Sequence, residues 1–196
     1  MKKVRLLALG AVFAVFAGCA GSPQAMLKQE IVKSGEVFWE MGKGGGAPEG
    51  YADLTVTASI KTHKERASLV RDRHGSADYT LLLSIDGQAV IVTGEARPER
   101  MEASPFAHSE AGKGVRYLFT KTLRLQAGTH RIALSLPEDQ VGVVHDITFG
   151  SGSANQLVLE PVYAAVAGKP RPGFTGATSF KEGISRMQVA LNGTML

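Results

Sequence analysis

Alternation of apolar and polar residues dominates the chain from Asp53 onward. In the first such stretch Leu54, Val56, Ala58 and Ile60 alternate with Thr55, Thr57, Ser59 and Lys61. Successive side chains of a strand point to opposite faces of a sheet, so a period of two predicts a strand with one buried face. We therefore expect the sheet to begin at Asp53.

The next alternating run ends in a dipeptide that favours a hairpin. Its apolar members are Tyr79, Leu81, Leu83 and Ile85. Asp86-Gly87 follows them, and this pair supplies the positive φ angles of a two-residue turn. Such a turn places Leu83 opposite Val90 and Leu81 opposite Val92, so the apolar faces match.

A second hairpin is predicted on the same grounds. Apolar positions Val115, Tyr117, Phe119, Leu123 and Leu125 precede Ala127-Gly128, and His130, Ile132, Leu134 and Leu136 follow it. A turn at Ala127-Gly128 sets Leu123 opposite Ile132 and Phe119 opposite Leu136. Alanine is unfavourable where φ is positive, so the type of this turn is left open.

Further strands are expected at Val141–Phe149, Gln156–Tyr163 and Met187–Leu191. The total is about eight strands, and the short turns between many of them indicate antiparallel neighbours. One apolar face on each strand requires a second sheet to cover it, which predicts an all-β, antiparallel, immunoglobulin-like β-sandwich. Three longer loops interrupt the pattern, at Thr62–Ser76, Ala96–Gly114 and Ala164–Ser179. Loops of this length are often functional.

The order of short signatures in this region resembles that of PEGA-like domains. The signatures are Ile85-Asp86-Gly87-Gln88, the run from Leu125 to Ile132, Ile147-Thr148-Phe149 and Leu157-Val158-Leu159. The resemblance spans roughly Tyr79 to Tyr163. It implies a small β-sandwich module of a surface protein without enzymatic activity.

The N-terminus has the pattern of an export signal. Lys2, Lys3 and Arg5 precede an apolar run from Leu6 to Phe16, and Ala17-Gly18-Cys19 closes it. A membrane-spanning helix needs about 20 apolar residues, so this shorter run favours a signal peptide over a retained helix.

The segment Phe16-Ala17-Gly18-Cys19 resembles the lipobox of bacterial lipoproteins, with Phe16 where that family usually has Leu. The resemblance implies removal of residues 1–18 and attachment of lipid to Cys19. Ala20, in place of the Asp typical of inner-membrane retention, implies the outer membrane. Cys19 is the chain's one cysteine, so no intramolecular disulfide competes for its thiol.

Between anchor and sandwich, residues 19–52 are expected to form a tether and lead-in, with the β-sandwich domain at 53–196. Met26, Leu27, Ile31 and Val32 have the spacing of a short helix. Phe38 and Trp39 are expected to pack onto the domain, and the alternative is that they lie at the lipid interface.

Charge argues against nucleic-acid binding. The formal net charge is +4, but the three N-terminal cations belong to the segment that is removed. The remaining chain is nearly neutral, whereas nucleic-acid binding needs a concentrated positive surface.

Catalytic and metal motifs are not apparent. The five histidines, His63, His74, His108, His130 and His145, show no ligand spacing with one another or with the cysteine. Ser151 and Ser153 lie in a glycine-rich turn that lacks the Gly-x-Ser-x-Gly spacing. We therefore expect no metal, and no cofactor apart from the lipid on Cys19.

One loop is rich in basic residues: Lys61, His63, Lys64, Arg66, Arg71, Arg73 and His74. It is interpreted either as a solvated loop or as a patch for an anionic ligand such as a lipid head group or envelope polymer.

The leading functional hypothesis is a non-catalytic, lipid-anchored lipoprotein that acts as an interaction or assembly module of the cell envelope, with an envelope protein as partner. The alternative is a binding module for envelope glycan or anionic polymer. A periplasmic hydrolase with dispersed catalytic residues is the third hypothesis.

Overall fold

The computed structural model describes residues 36–42, 45–64, 72–100, 109–110, 112–164 and 179–196. Within these ranges eleven strands form two sheets, and one turn of 3-10 helix, Phe180–Glu182, is the single helical element. The strands are β1 Phe38–Glu40, β2 Tyr51–Thr62, β3 Thr80–Ile85, β4 Gln88–Thr93, β5 Glu95–Arg100, β6 Lys113–Gln126, β7 Gly128–Leu136, β8 Val141–Phe149, β9 Ala154–Tyr163, β10 Ile184–Leu191 and β11 Thr194–Met195. The predicted all-β sandwich is confirmed.

The larger sheet has seven strands in the order β1-β6-β2-β9-β10-β11, and β5 pairs with β6 beside β1. Its strands are antiparallel except β2 and β9, which run parallel. The smaller sheet has the order β4-β3-β7-β8 and is antiparallel throughout. Apolar side chains of the two sheets, such as Leu54, Phe119, Leu83 and Leu134, form the core and are at most 1% exposed.

The hairpin at Asp86-Gly87 has the predicted register. Leu83 pairs with Val90 and Leu81 pairs with Val92. Asp86 has a φ of 48° and Gly87 a φ of 89°, as a turn with two positive φ angles requires.

The second predicted hairpin is wrong, because β6 and β7 lie in different sheets. Leu123 pairs with Leu54 of β2, and Ile132 pairs with Ile85 of β3. The chain crosses between the sheets at Ala127, whose N–H donates to the carbonyl of Gly50. Two strands that face each other across a core alternate in the same way as two hairpin strands, so alternation alone did not separate the two arrangements.

Part of the predicted loop at Ala96–Gly114 is strand β5. Gly94 alone separates β5 from β4, and the chain passes there from the smaller sheet to the larger one. A Cβ on Gly94 would lie 2.8 Å from the ring of Phe119, so this crossing runs directly against the core. Apart from Thr62, the last residue of β2, the described residues of the other two predicted loops form no strand.

The two ends of the sandwich differ in their connections. We call the end at which Thr62 of β2 pairs with Val115 of β6 the loop end. Three long connections lie at this end: β2–β3, β5–β6 and β9–β10. The opposite end, the turn end, carries the short connections after β3, β6, β8 and β10.

The chain enters the sandwich at the turn end. Phe38 of β1 pairs with Leu125, next to the last residue of β6. Phe38 is 5% exposed, so its predicted packing is confirmed, whereas Trp39 is 37% exposed and its ring lies 5.8 Å from that of Tyr51. Strand β1 belongs to the sheet although it lies in the predicted lead-in.

The signal segment, Cys19 and the helix predicted around Met26 to Val32 lie outside the described residues. Among the residues that are described, no helix has the length and apolar character needed to span a membrane.

Candidate functional site

Three polar residues converge at the loop end, and we call them the histidine cluster: His63, Asp72 and His74. His63 directly follows the end of β2, and the other two precede β3. Nε2 of His63 lies 3.5 Å from Oδ2 of Asp72, and Nδ1 of His74 lies 2.7 Å from Oδ1 of the same carboxylate. The two imidazole rings are 4.9 Å apart between centroids.

The outer nitrogen of each ring has its own partner. Nδ1 of His63 is 3.0 Å from the carbonyl oxygen of Lys64, and Nε2 of His74 is 3.2 Å from Oδ1 of Asp139. A carbonyl oxygen only accepts hydrogen bonds, so Nδ1 of His63 is the donor in this contact. The nitrogens that face Asp72 are thus Nε2 of His63 and Nδ1 of His74.

A tight turn brings Asp72 and His74 together. The backbone N–H of His74 donates to Oδ1 of Asp72 at 3.0 Å, an arrangement in which an Asp side chain caps its own loop. Ser76 donates to the carbonyl of Arg73 from both its backbone N–H and its hydroxyl, and Gly75 takes a φ of 81°. The short Asp-x-His sequence thereby becomes a fixed pair of polar groups.

Asp139 anchors the cluster to the core. It lies in the turn between β7 and β8, is 4% exposed, and accepts a 2.7 Å hydrogen bond from the hydroxyl of Tyr79. Burial and the charge of Asp139 raise the pKa of Tyr79 well above its ordinary value. The ring of Tyr79 packs 4.7 Å from that of Tyr117, whose hydroxyl donates to the carbonyl of Ser76.

The two carboxylates shift the protonation of His74. Burial lowers the pKa of His74, but hydrogen bonds and charge attraction from Asp139 and Asp72 outweigh it and raise the pKa above its ordinary value. Burial raises the pKa of Asp72, and hydrogen bonds from His74 outweigh it and lower the pKa. The carboxylates of Asp72 and Asp139 therefore favour the protonated form of the His74 ring.

A second group at the loop end, the ionic cluster, consists of Lys61, Glu99, Glu110 and Arg116. Nε of Arg116 lies 2.7 Å from Oε1 of Glu99, and its Nη2 lies 2.8 Å from Oε2 of Glu110. Hydrogen bonding to Glu99 raises the pKa of Arg116 further above its already high ordinary value. Nζ of Lys61 lies 3.1 Å from Glu99 and donates to the backbone carbonyl of Glu110 at 2.8 Å.

These contacts change the interpretation of the predicted basic patch. Lys61 is wrongly placed in it, because its side chain is fully buried under Phe180 and paired with Glu99. Of the other predicted members, His63 and His74 belong to the histidine cluster, and Lys64 is exposed. The side chain of Arg73 lies 3.9 Å from that of Glu138. Arg66 and Arg71 lie outside the described residues. The described cations at the loop end are thus largely matched by carboxylates.

The other histidines that are described lie elsewhere. Nδ1 of His130 is 2.7 Å from Asp86 and its Nε2 is 2.8 Å from the carbonyl of Gln126, so both ring nitrogens have partners. His145 is partly buried on β8, whereas the neighbouring Asp146 is exposed. His108 lies outside the described residues.

The serines of the glycine-rich turn have structural contacts. Ser151 Oγ accepts from the backbone N–H of Gly50, and Ser153 Oγ donates to the carbonyl of Gly150. Both lie at the turn end, far along the strands from the histidine cluster. They do not join a histidine in a catalytic arrangement among the described residues.

Sequence spacing alone did not reveal the histidine cluster. Zinc ligands on a helix are three or four residues apart, whereas His63 and His74 lie eleven residues apart within the connection between β2 and β3. The usable signal was Asp72-Arg73-His74, because an Asp two residues before a His can bond its backbone and its ring together.

Comparison with known proteins gives no relative for this chain. No family model matches the sequence, and no curated protein and no solved structure matches it either. The resemblances to lipoprotein signals and to PEGA-like domains therefore stay predictions.

Proposed function

We propose that this chain is a non-catalytic, lipid-anchored protein of the bacterial cell envelope that presents the loop end of its sandwich to a partner. The observation that carries the proposal is the placement of β1. It joins the sheet at the turn end, so a chain tethered through Cys19 has its three long connections at the far end.

The tether limits how far the domain stands from the bilayer. From Cys19 to Gly35 there are 17 residues, which reach at most roughly 60 Å when fully extended. Several acyl chains on Cys19 would supply the two or more signals that stable anchoring needs. The exposed ring of Trp39 and its neighbour Tyr51 lie on the side of the sandwich that this arrangement turns toward the membrane.

The alternative of a binding module for glycan or anionic polymer has less support. This alternative requires free positive charge at the loop end. However, a carboxylate lies beside each of three cations there: Lys61, His74 and Arg73. A polymer of negative charges would compete with these internal partners. An envelope protein, which offers both charges and apolar surface, suits such a mixed surface better.

Labelling with a palmitate analogue in cells tests the anchor. We expect the full chain to incorporate label and the Cys19→Ala variant to incorporate none. A wild-type chain without label would refute the anchor. The variant keeps every residue of the described domain, so loss of label reports on Cys19 and not on the fold.

The orientation has a separate test, made possible because Cys19 is the one native cysteine. Lys64→Cys at the loop end and Glu49→Cys at the turn end each introduce a free thiol at an exposed position. With a fluorophore on each thiol, in vesicles containing spin-labelled lipid, the turn-end label should be quenched more strongly. Equal quenching, or stronger quenching at the loop end, contradicts the proposed orientation.

A further inference from the structure

We propose that the histidine cluster binds one divalent transition-metal ion, with Zn²⁺ as the best match. One ring nitrogen of each histidine and one carboxylate oxygen of Asp72 lie within 4.8 Å of one another. The nitrogens that face Asp72, and that we assign as ligands, are Nε2 of His63 and Nδ1 of His74. Neither the lipid anchor nor the presentation of the loop end requires this site.

The distances suit a small cation. Zinc bonds imidazole nitrogen and carboxylate oxygen at about 2.0–2.2 Å, so two ligands of a tetrahedral ion stand roughly 3.3 Å apart. Nε2 of His63 and Oδ2 of Asp72 are separated by 3.5 Å. Nδ1 of His74 is closer to Asp72, at 2.7 Å, which is the length of the hydrogen bond that an ion would replace.

The outer partners of both rings favour ligation. Metal-bound histidines usually donate their second N–H to a carboxylate or a backbone carbonyl, which fixes the ring and the tautomer. His63 has the Lys64 carbonyl in this position, and His74 has the carboxylate of Asp139. Asp139 is itself held by Tyr79, so the orientation of His74 is fixed from within the core.

The donor set selects the class of ion. Two imidazole nitrogens and one carboxylate suit Zn²⁺ and other first-row transition metals, whereas Ca²⁺ and Mg²⁺ prefer oxygen ligands. The side chains of His63, Asp72 and His74 are 21%, 25% and 16% exposed, so an ion can reach them from solvent. Three protein ligands leave a fourth position for water or for a group of a partner.

Calorimetric titration of the full chain with Zn²⁺ alone tests the site. The protein is purified from membranes in detergent and treated with chelator, and the Cys19→Ala full chain is titrated in parallel to remove any thiol ligand. We expect one equivalent of Zn²⁺ in both, and no comparable binding of Ca²⁺ or Mg²⁺. Binding that is lost in the Cys19→Ala chain would overturn the site.

Ligand variants give the specificity of the test. His63→Gln and Asp72→Asn should each weaken Zn²⁺ binding at least tenfold, whereas His145→Gln, which removes an imidazole outside the cluster, should leave it unchanged. Thermal unfolding without metal shows whether each variant is folded, and His63→Gln leaves the Asp139 contacts intact. Absence of wild-type binding, or equal binding in all three variants, means a purely structural ion-pair network and refutes the proposal.

Discussion

The ammonium group of Lys61 lies 3.1 Å from Oε2 of Glu99, and the Lys61 side chain is fully buried while that of Glu99 is 30% exposed. The pair joins the end of β2 to β5, across β6. A buried ammonium group needs its partners, because isolating a charge from water costs far more than a neutral group does. The loop end therefore depends on this contact for its stability.

Lys61→Met keeps most of the side-chain volume and removes the charge. It leaves Glu99 and the carbonyl of Glu110 without this partner, and we expect the free energy of unfolding to fall by about 2 to 3 kcal/mol. Urea denaturation measures the loss. Lys121→Met is the matched control: its pair with Glu40 is partly exposed, and we expect a loss below about 1 kcal/mol. Equal losses in both variants would contradict the role of burial.

Acid should weaken the ionic cluster through Glu99. Hydrogen bonding to Arg116, together with Lys61, holds the pKa of Glu99 below its ordinary value of 4.5 despite some burial. Glu110 is the other acid of the cluster, and it also contacts Arg116. Because the pKa is lowered on folding, the stabilisation by Glu99 is present above the ordinary pKa and is lost as the pH falls through the folded value.

The Glu99→Gln variant isolates this effect. It should be less stable than the wild type at neutral pH, and the difference between the two should shrink as the pH falls below the ordinary pKa of the carboxyl group. Urea denaturation across that pH range measures the difference. A gap of constant size at every pH would show that Glu99 acts through packing and not through charge.

Gly114 has no room for a side chain. A Cβ there would lie 2.6 Å from the carbonyl oxygen of Thr62 and 2.9 Å from the ring of Phe180. We expect Gly114→Ala to lower the free energy of unfolding by about 1 to 3 kcal/mol. Gly46→Ala, where nothing lies within 4 Å, should change it by less than about 0.5 kcal/mol. A neutral effect of Gly114→Ala in denaturant unfolding would contradict the close packing of β6 at the loop end.

Asp139 is expected to position His74 for the metal ion. Loss of an outer carboxylate partner typically lowers metal affinity about 10- to 100-fold, so Asp139→Asn should weaken Zn²⁺ binding by that factor. Asp146→Asn, at an exposed position on the neighbouring strand, is the control and should leave the affinity unchanged. Tyr79→Phe removes the hydrogen bond to Asp139 and should have a smaller effect of the same sign. If Asp139→Asn binds Zn²⁺ as tightly as the wild type, Asp139 does not position His74 and other contacts orient its ring.

Much of the fold follows from local chemistry. The dipeptide Asp86-Gly87 sets both the turn and the register of Leu83 against Val90, because few residues tolerate two positive φ angles. Asn192-Gly193 has the same property, with φ angles of 51° and 83°, and it ends the predicted strand at Leu191. Where a turn needs special residues, the sequence determines strand pairing.

The sequence alone does not show which sheet each strand belongs to. Alternation showed which face of β6 is buried but not which strand lies beside it, and the pairing of Leu123 with Leu54 is a contact between distant residues. Pro98 and four charged residues interrupt the alternation of strand β5, although β5 pairs with β6 along its length. Such edge strands tolerate proline and charge.

The candidate site could be predicted only in part. The basic residues around His63 and His74 were apparent, but their partner Asp139 lies 65 residues beyond His74. The burial of Lys61 could not be predicted either. Its place in the alternation predicts an outward side chain, and Phe180, which covers it, is distant in sequence. Contacts of this kind depend on how loops fold across the ends of a sandwich.

The orientation of β1 has a mechanical consequence. A partner that pulls on the loop end while lipid holds the N-terminus would apply tension along β1, because this strand runs from the turn end toward the loop end beside β6. The hydrogen bonds of an antiparallel pair are perpendicular to the strands, so such a pull shears all of them together and does not peel them one at a time. The contact of Met41 with Thr122 extends the ladder that shares the load. The first strand of the domain is thus oriented to resist tension applied between its N-terminal side and the loop end.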